Sequence, residues 1–153
     1  MTMSVLSHSP RRALGCALVA AAAMLPRPAA AQDVAPPPIV VDGLKVLVKV
    51  GIDSAVAVWF KGSALEGDTS KTHPFSIAFA QLPDWLGKPR DFEILKTYPV
   101  GAHIRRTYVI LLCDGGPAFW RFDYYLAVKG WVLQHIDFNT SADKILPTTL
   151  LPP

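Results

Sequence analysis

The chain has 153 residues, 51% of them hydrophobic, with 15 Lys and Arg against 12 Asp and Glu for a formal charge of +3. Arg11, Arg12 and Arg27 lie in the first thirty-one positions with no acidic residue, so residues 32–153 carry 12 charges of each sign and are neutral. The positive excess therefore belongs to the N-terminal segment, and the remainder offers no electrostatic footprint for nucleic acid or an anionic lipid surface.

Residues 1–31 read as an export signal. Arg11 and Arg12 form a positive start, Ala13 to Leu25 an apolar run, and Ala29-Ala30-Ala31 before Gln32 a small-residue cleavage site. The run is shorter than the roughly 20 residues of a membrane span, and no later stretch is long and free of charge. A soluble protein beginning at Gln32 is expected. The alanine-rich signal is of the bacterial kind and makes the periplasm the expected destination. Cys16 sits at the beginning of the apolar run, where a lipoprotein cysteine would follow it, so cleavage after Ala31 is the better reading. The arginine pair fits either the general secretory or the twin-arginine route, with Pro10 and Ala13 favouring the former. Once Cys16 is removed Cys113 is the only thiol, and no intramolecular disulfide can form. Stability must come from one core, for which seven Phe, four Tyr and four Trp supply bulk.

Pro36-Pro37-Pro38 marks residues 32–41 as an extended tether. From Asp42 to Val50 two patterns compete: Leu44, Val46, Val48 and Val50 alternate as in a strand, while Lys45 and Lys49 stand i,i+4 as on a helix. Helix is the favoured reading and strand the alternative. Ile52, Ala55, Val56, Trp59 and Phe60 form the stripe of an amphipathic helix, with Asp53 or Ser54 as its cap and Gly62 at its end. Glu66 to Thr72 reads as a turn, Pro74 as the first residue of a helix through Gln81, and Pro83 to Leu86 as a further turn stopped by Gly87. Aromatic and β-branched residues then predict strands at 91–99, 103–113, 118–127 and 131–139. Helices first and strands later predict an α+β fold, with short helices packed on a curved four-stranded antiparallel sheet. The domain is expected to span 42–147, followed by a tail at 148–153.

Hairpin geometry decides which residues share a face. A three-residue loop Val128-Lys129-Gly130 pairs Ala127 with Trp131 and collects Trp120, Phe122, Tyr124, Leu126, Val132, Ile136 and Phe138 on one face. The other face then holds Arg121, Asp123, Tyr125, His135, Asp137 and Asn139, with Asp123 across from His135 and Arg121 across from Asp137. A two-residue loop mixes charged with apolar partners. One hairpin earlier, an Asp114-Gly115-Gly116-Pro117 turn pairs Cys113 with Ala118 and brings Val109 and Leu111 to the apolar face. Cys113 is then a buried, inert thiol.

The helical first half, the Leu82-Pro83-Asp84-Trp85-Leu86-Gly87 turn, and the strands ending in Gly130-Trp131-Val132-Leu133 and Ile136-Asp137-Phe138-Asn139 resemble small exported proteins of the nuclear-transport-factor-like superfamily. This resemblance implies a ketosteroid-isomerase-like cone, in which a curved sheet wraps helices around an apolar pocket, and often a homodimer through the sheet. It implies no reaction, because that fold serves enzymes, binders and assembly modules.

Two candidate sites follow. Trp59, Phe60, Trp120, Phe122 and Tyr124 would line the cone as a pocket for a small apolar ligand; Tyr124 could donate a hydrogen bond to it, although a Tyr on an apolar strand face is more often a core residue. Arg121, Asp123, Tyr125, His135 and Asp137 would form a self-association surface on the outer face. An isomerase- or dehydratase-like enzyme would need a buried acid, and the register turns Asp123 and Asp137 away from the pocket. Asp123 with His135 reads more simply as a cross-strand surface pair than as an acid-base dyad. His73, His103 and His135 lie about thirty residues apart, without metal-ligand spacing. No Gly-x-Ser-x-Gly element is present, and no motif implies a cofactor. Arg105-Arg106 splits between two faces, so one arginine snorkels or caps the pocket rim. The expectation is a non-catalytic, self-associating periplasmic module, with a small-ligand binder as the alternative.

Overall fold

A computed structural model describes residues 34–151. The expected export signal and its cleavage site lie outside the described residues. The fold is α+β: among the described residues there are five α-helices and a four-stranded antiparallel sheet in the order β1-β2-β3-β4, left open with β1 and β4 at its edges.

Helix α1 runs Pro38–Lys49 and buries Val40, Gly43, Leu44 and Leu47, the i, i+3, i+4, i+7 stripe of one face, while Lys45 and Lys49 point to solvent. The helical reading of Asp42 to Val50 therefore holds, but the tether is shorter than expected. Pro38 is the first helical residue, where a missing N–H costs nothing, and Pro37 is fully buried. The domain thus begins ahead of position 42.

Helix α2, Ile52–Trp59, buries Ala55, Val56 and Trp59. Neither Asp53 nor Ser54 caps it. The cap is two residues ahead of Asp53, at Gly51, whose φ of 123° suits a residue without Cβ. Helix α3, Thr69–Ala80, also begins ahead of its predicted start. The Asp68 carboxylate accepts from the Lys71 N–H (3.3 Å) and the Ser70 hydroxyl (2.5 Å) and so caps the helix within the stretch expected to be a turn. Pro74 accordingly stands inside the helix. Helix α4, Leu82–Leu86, converts the expected turn into one helical turn, ended by Gly87 at φ 73°.

The strands are β1 Pro89–Val100, β2 Ile104–Cys113, β3 Gly116–Ala127 and β4 Gly130–Asn139. Two registers differ from expectation in an instructive way. The β2–β3 turn is the two-residue Asp114-Gly115, pairing Cys113 with Gly116. It is braced from behind, because the Gly115 N–H donates to Leu86 O at 2.6 Å and the Asp114 N–H to Lys88 O at 3.1 Å. Pro117 can join the strand because it lies two residues beyond the last β3–β4 pair, Phe119 with Asn139, where no ladder bond is lost. The shift is even, so Val109 and Leu111 keep their face.

The β3–β4 loop also has two residues, Val128 and Lys129, with Ala127 opposite Gly130. A β-bulge at Gln134 then adds the residue that the loop lacks, and Asp123↔His135, Arg121↔Asp137 and Trp120↔Phe138 pair as predicted. Gln134 and His135 are both exposed, while Leu133 and Ile136 are both buried.

One sheet face carries Val109, Leu111, Trp120 and Phe122 into a core with Val40, Leu44, Trp59 and Phe79 from the helices. Buried Thr97 and Thr107 satisfy each other across β1–β2 at 3.1 Å. The opposite face holds a second cluster. There α5, Ala142–Ile145, and a 3-10 turn, Thr148–Leu150, lay Ile145, Leu146, Leu150 and Leu151 over Leu95, Tyr98, Tyr108 and Phe119. The expected tail is thus part of the domain as far as Leu151.

Candidate functional site

The five aromatic residues expected to line a cone pocket do not share one cavity. Trp59, Trp120, Phe122 and Tyr124 are fully buried and fill the interior with one another. Trp59 meets Trp120 at 5.8 Å and Phe122 at 5.3 Å, and Phe122 stacks on both Trp120 and Tyr124 at 5.8 and 6.1 Å. Trp59 fits because position 43 is glycine: a Cβ there would stand 2.0 Å from Trp59 Nε1. That Nε1–H donates to Val40 O at 3.4 Å. Trp120 Nε1 and Tyr124 Oη are buried without a hydrogen-bond partner among the described residues. Burial pushes the Tyr124 phenol well above its usual range, so it stays neutral. Burial likewise raises the Cys113 thiol, in agreement with an inert cysteine.

Phe60 instead borders a cleft of about 500 Å³ between α2 and α3. Val56, Phe60 and Leu65 supply its apolar lining, and Asp53, Glu66 and His73 contribute ionisable groups. Sequence reading missed this cleft because its α3 wall was assigned to a turn.

The outer face carries all five residues expected on it, and a sixth. Arg106 on β2 makes a bidentate pair with Asp123, Nε to Oδ1 at 2.7 Å and Nη2 to Oδ2 at 2.8 Å. This contact holds the guanidinium above its ordinary pKa. The side chain of Asp123 therefore serves Arg106, although its backbone partner is His135 as predicted. Arg121 Nη2 donates to Asp137 Oδ2 at 3.3 Å and to His135 Nε2 at 3.2 Å. Arg106 was visible only as half of an arginine pair split between faces. Arg105, the other half, lies 4.5 Å over the Trp131 ring and donates to Ala35 O at 3.0 Å.

No family model, curated protein or solved structure matches this chain. The surface itself must carry the functional reading. The β1–β2 and β3–β4 turns lie at the same end of the sheet, where the Leu126 N–H donates to His103 O at 2.7 Å. That end exposes Val100, Ile104, Tyr125, Leu126 and Val128, the last completely. His103 lies 6.4 Å from the Tyr125 ring. The C-terminal segment covers the Tyr98, Tyr108 and Phe119 region and leaves this end open. Among the described residues no group of three or more His, Cys, Asp and Glu is placed to hold a metal ion, and no helix is long and apolar enough to cross a membrane.

Proposed function

We propose that this chain is an exported, non-catalytic module that self-associates through the uncovered end of its outer sheet face. The observation that carries the reading is a row of exposed apolar residues paired across three strands of the outer face, Val100, Ile104 and Tyr125, beside two ion pairs already closed within the chain. Exposed apolar groups that share one patch favour burial against a partner. Charges neutralised in advance, Arg106 with Asp123 and Arg121 with Asp137, lose less on desolvation than free ones.

A second copy is the occupant that fits. Residues 32–153 are neutral, so two copies do not repel, and a two-fold arrangement presents each ion pair to a surface bearing the same paired signs. The sheet-mediated homodimer implied by the nuclear-transport-factor-like resemblance accords with this reading, as does a periplasmic location. The filled interior argues against the cone as a ligand site, and the outward placement of Asp123 and Asp137 leaves no acid there for isomerase chemistry.

Light scattering behind size-exclusion chromatography tests the proposal. The purified protein is expected to elute as a dimer, and Tyr125→Glu as a folded monomer. A wild-type monomer at all concentrations, or a Tyr125→Glu dimer, would remove the self-association reading.

A further inference from the structure

The α2–α3 cleft lies apart from the self-association surface, and its lining has a definite chemical bias. Its volume of about 500 Å³ is within the range of small-molecule sites. Asp53 and Glu66 are its carboxylates, and no Lys or Arg lines it. Glu66 Oε2 accepts from the Gly62 N–H at 2.8 Å, which fixes the loop that closes one side. Asp53 has neither an ion pair nor a hydrogen bond among the described residues. Ser76, only 8% exposed, lines the same cleft, and its hydroxyl also has no partner among the described residues. A serine hydroxyl that opens from a nearly buried residue onto the cleft, with an unpaired carboxylate and an apolar lining in the same cleft, offers a ligand polar and apolar contacts together.

We propose that the cleft binds a small organic cation, a primary amine carried on an apolar body. The ammonium group faces Asp53 and the free lone pairs of Glu66, the Ser76 hydroxyl accepts or donates a hydrogen bond, and the apolar body rests on Val56, Phe60 and Leu65. A carboxylate ligand is disfavoured by charge, since it would meet the carboxylates of Asp53 and Glu66 with no Lys or Arg in the lining and only the His73 imidazole beside them.

Benzylamine, benzyl alcohol and benzoate, which share one ring and differ in the head group, are the probes. Each is titrated into the purified, 15N-labelled protein, following amide shifts by NMR. Benzylamine is expected to give saturable shifts confined to α2, α3 and the loop between them, with an affinity at least about tenfold above that of benzyl alcohol. Benzoate should give none. Asp53→Asn should reduce benzylamine affinity about tenfold and leave the weak benzyl alcohol binding unchanged. Equal affinity for amine and alcohol would mean apolar adsorption and overturn the proposal. So would stronger benzoate binding, an unaffected Asp53→Asn variant, or no saturable shift at all. None of these outcomes depends on the oligomeric state.

Discussion

Position 43 shows how a single hydrogen atom in place of a methyl sets the core. The Trp59 indole lies where a Cβ on residue 43 would be, 2.0 Å from Nε1, so Gly43→Ala must displace either the indole or helix α1. A loss of about 2–3 kcal/mol is expected, measured by urea unfolding. Trp59→Phe in the same chain should make the two changes less than additive, because the smaller ring vacates the space. Tyr124 predicts the opposite sign. Its hydroxyl is buried without a partner among the described residues, so Tyr124→Phe should leave stability unchanged or raise it by about 1 kcal/mol. A clear loss would mean that the hydroxyl has a partner in solution. Neither effect was legible in the sequence. Contacts between elements distant in the chain decide both.

Local pattern was enough to place helices and strands wherever burial alone dictated them, as in the stripe from Ile52 to Phe60 and the alternation from Trp120 to Tyr124. It failed at element ends, which are set by single hydrogen bonds. The start of α3 is the clearest case. Hydrogen bonds from Ser70 and Lys71, together with the Lys71 charge at 2.9 Å, lower the Asp68 carboxyl to about 2 from an ordinary 3.8. A depressed folded-state pKa stabilises the helix start above pH 3.8 and loses that contribution as the pH falls through about 2. The Lys71 amide should therefore titrate with a midpoint near 2, and a midpoint at the ordinary aspartate value would contradict the capping role. The β3–β4 hairpin makes a second element-scale prediction. With Gln134 and His135 both outward, deleting Gln134 restores a regular ladder and leaves Leu133 and Ile136 facing the core. The deletion should fold, with a change in thermal unfolding equivalent to about 1 kcal/mol or less. An added residue after His135 should instead turn Ile136 and Phe138 outward, exposing about 2 kcal/mol of burial for each. The expected three-residue loop reached the correct pairs beyond the bulge by the wrong route and was one residue off between the bulge and the loop, where Val132 pairs with Tyr125 and Leu126 with Trp131; inside-outside consistency constrains the residue count along a strand but not where an extra residue sits.

For the molecule as a whole, the order of helices before strands sufficed for an α+β fold with an antiparallel sheet, because segregated elements pack in few ways. The outer face was legible too, as parity survives the even shift at β2–β3 and the bulge at Gln134 offsets the odd one at β3–β4. What escaped was the closing of the interior and the return of the C-terminus. Aromatic residues on one strand face look the same in sequence whether they line a cavity or fill it, and Trp59 decides the matter from a distant helix. Leu150 and Leu151 read as a tail because only tertiary packing distinguishes them from one. The resulting division of the outer face into a covered region and an open end with paired charges is the basis for assigning self-association. An isotope-filtered NMR experiment on a mixture of labelled and unlabelled protein tests that assignment most directly. Intermolecular contacts between the Tyr125 ring and the Ile104 methyl groups are the predicted result, whereas a dimer whose only intermolecular contacts lie elsewhere, or a sample with none, would contradict it.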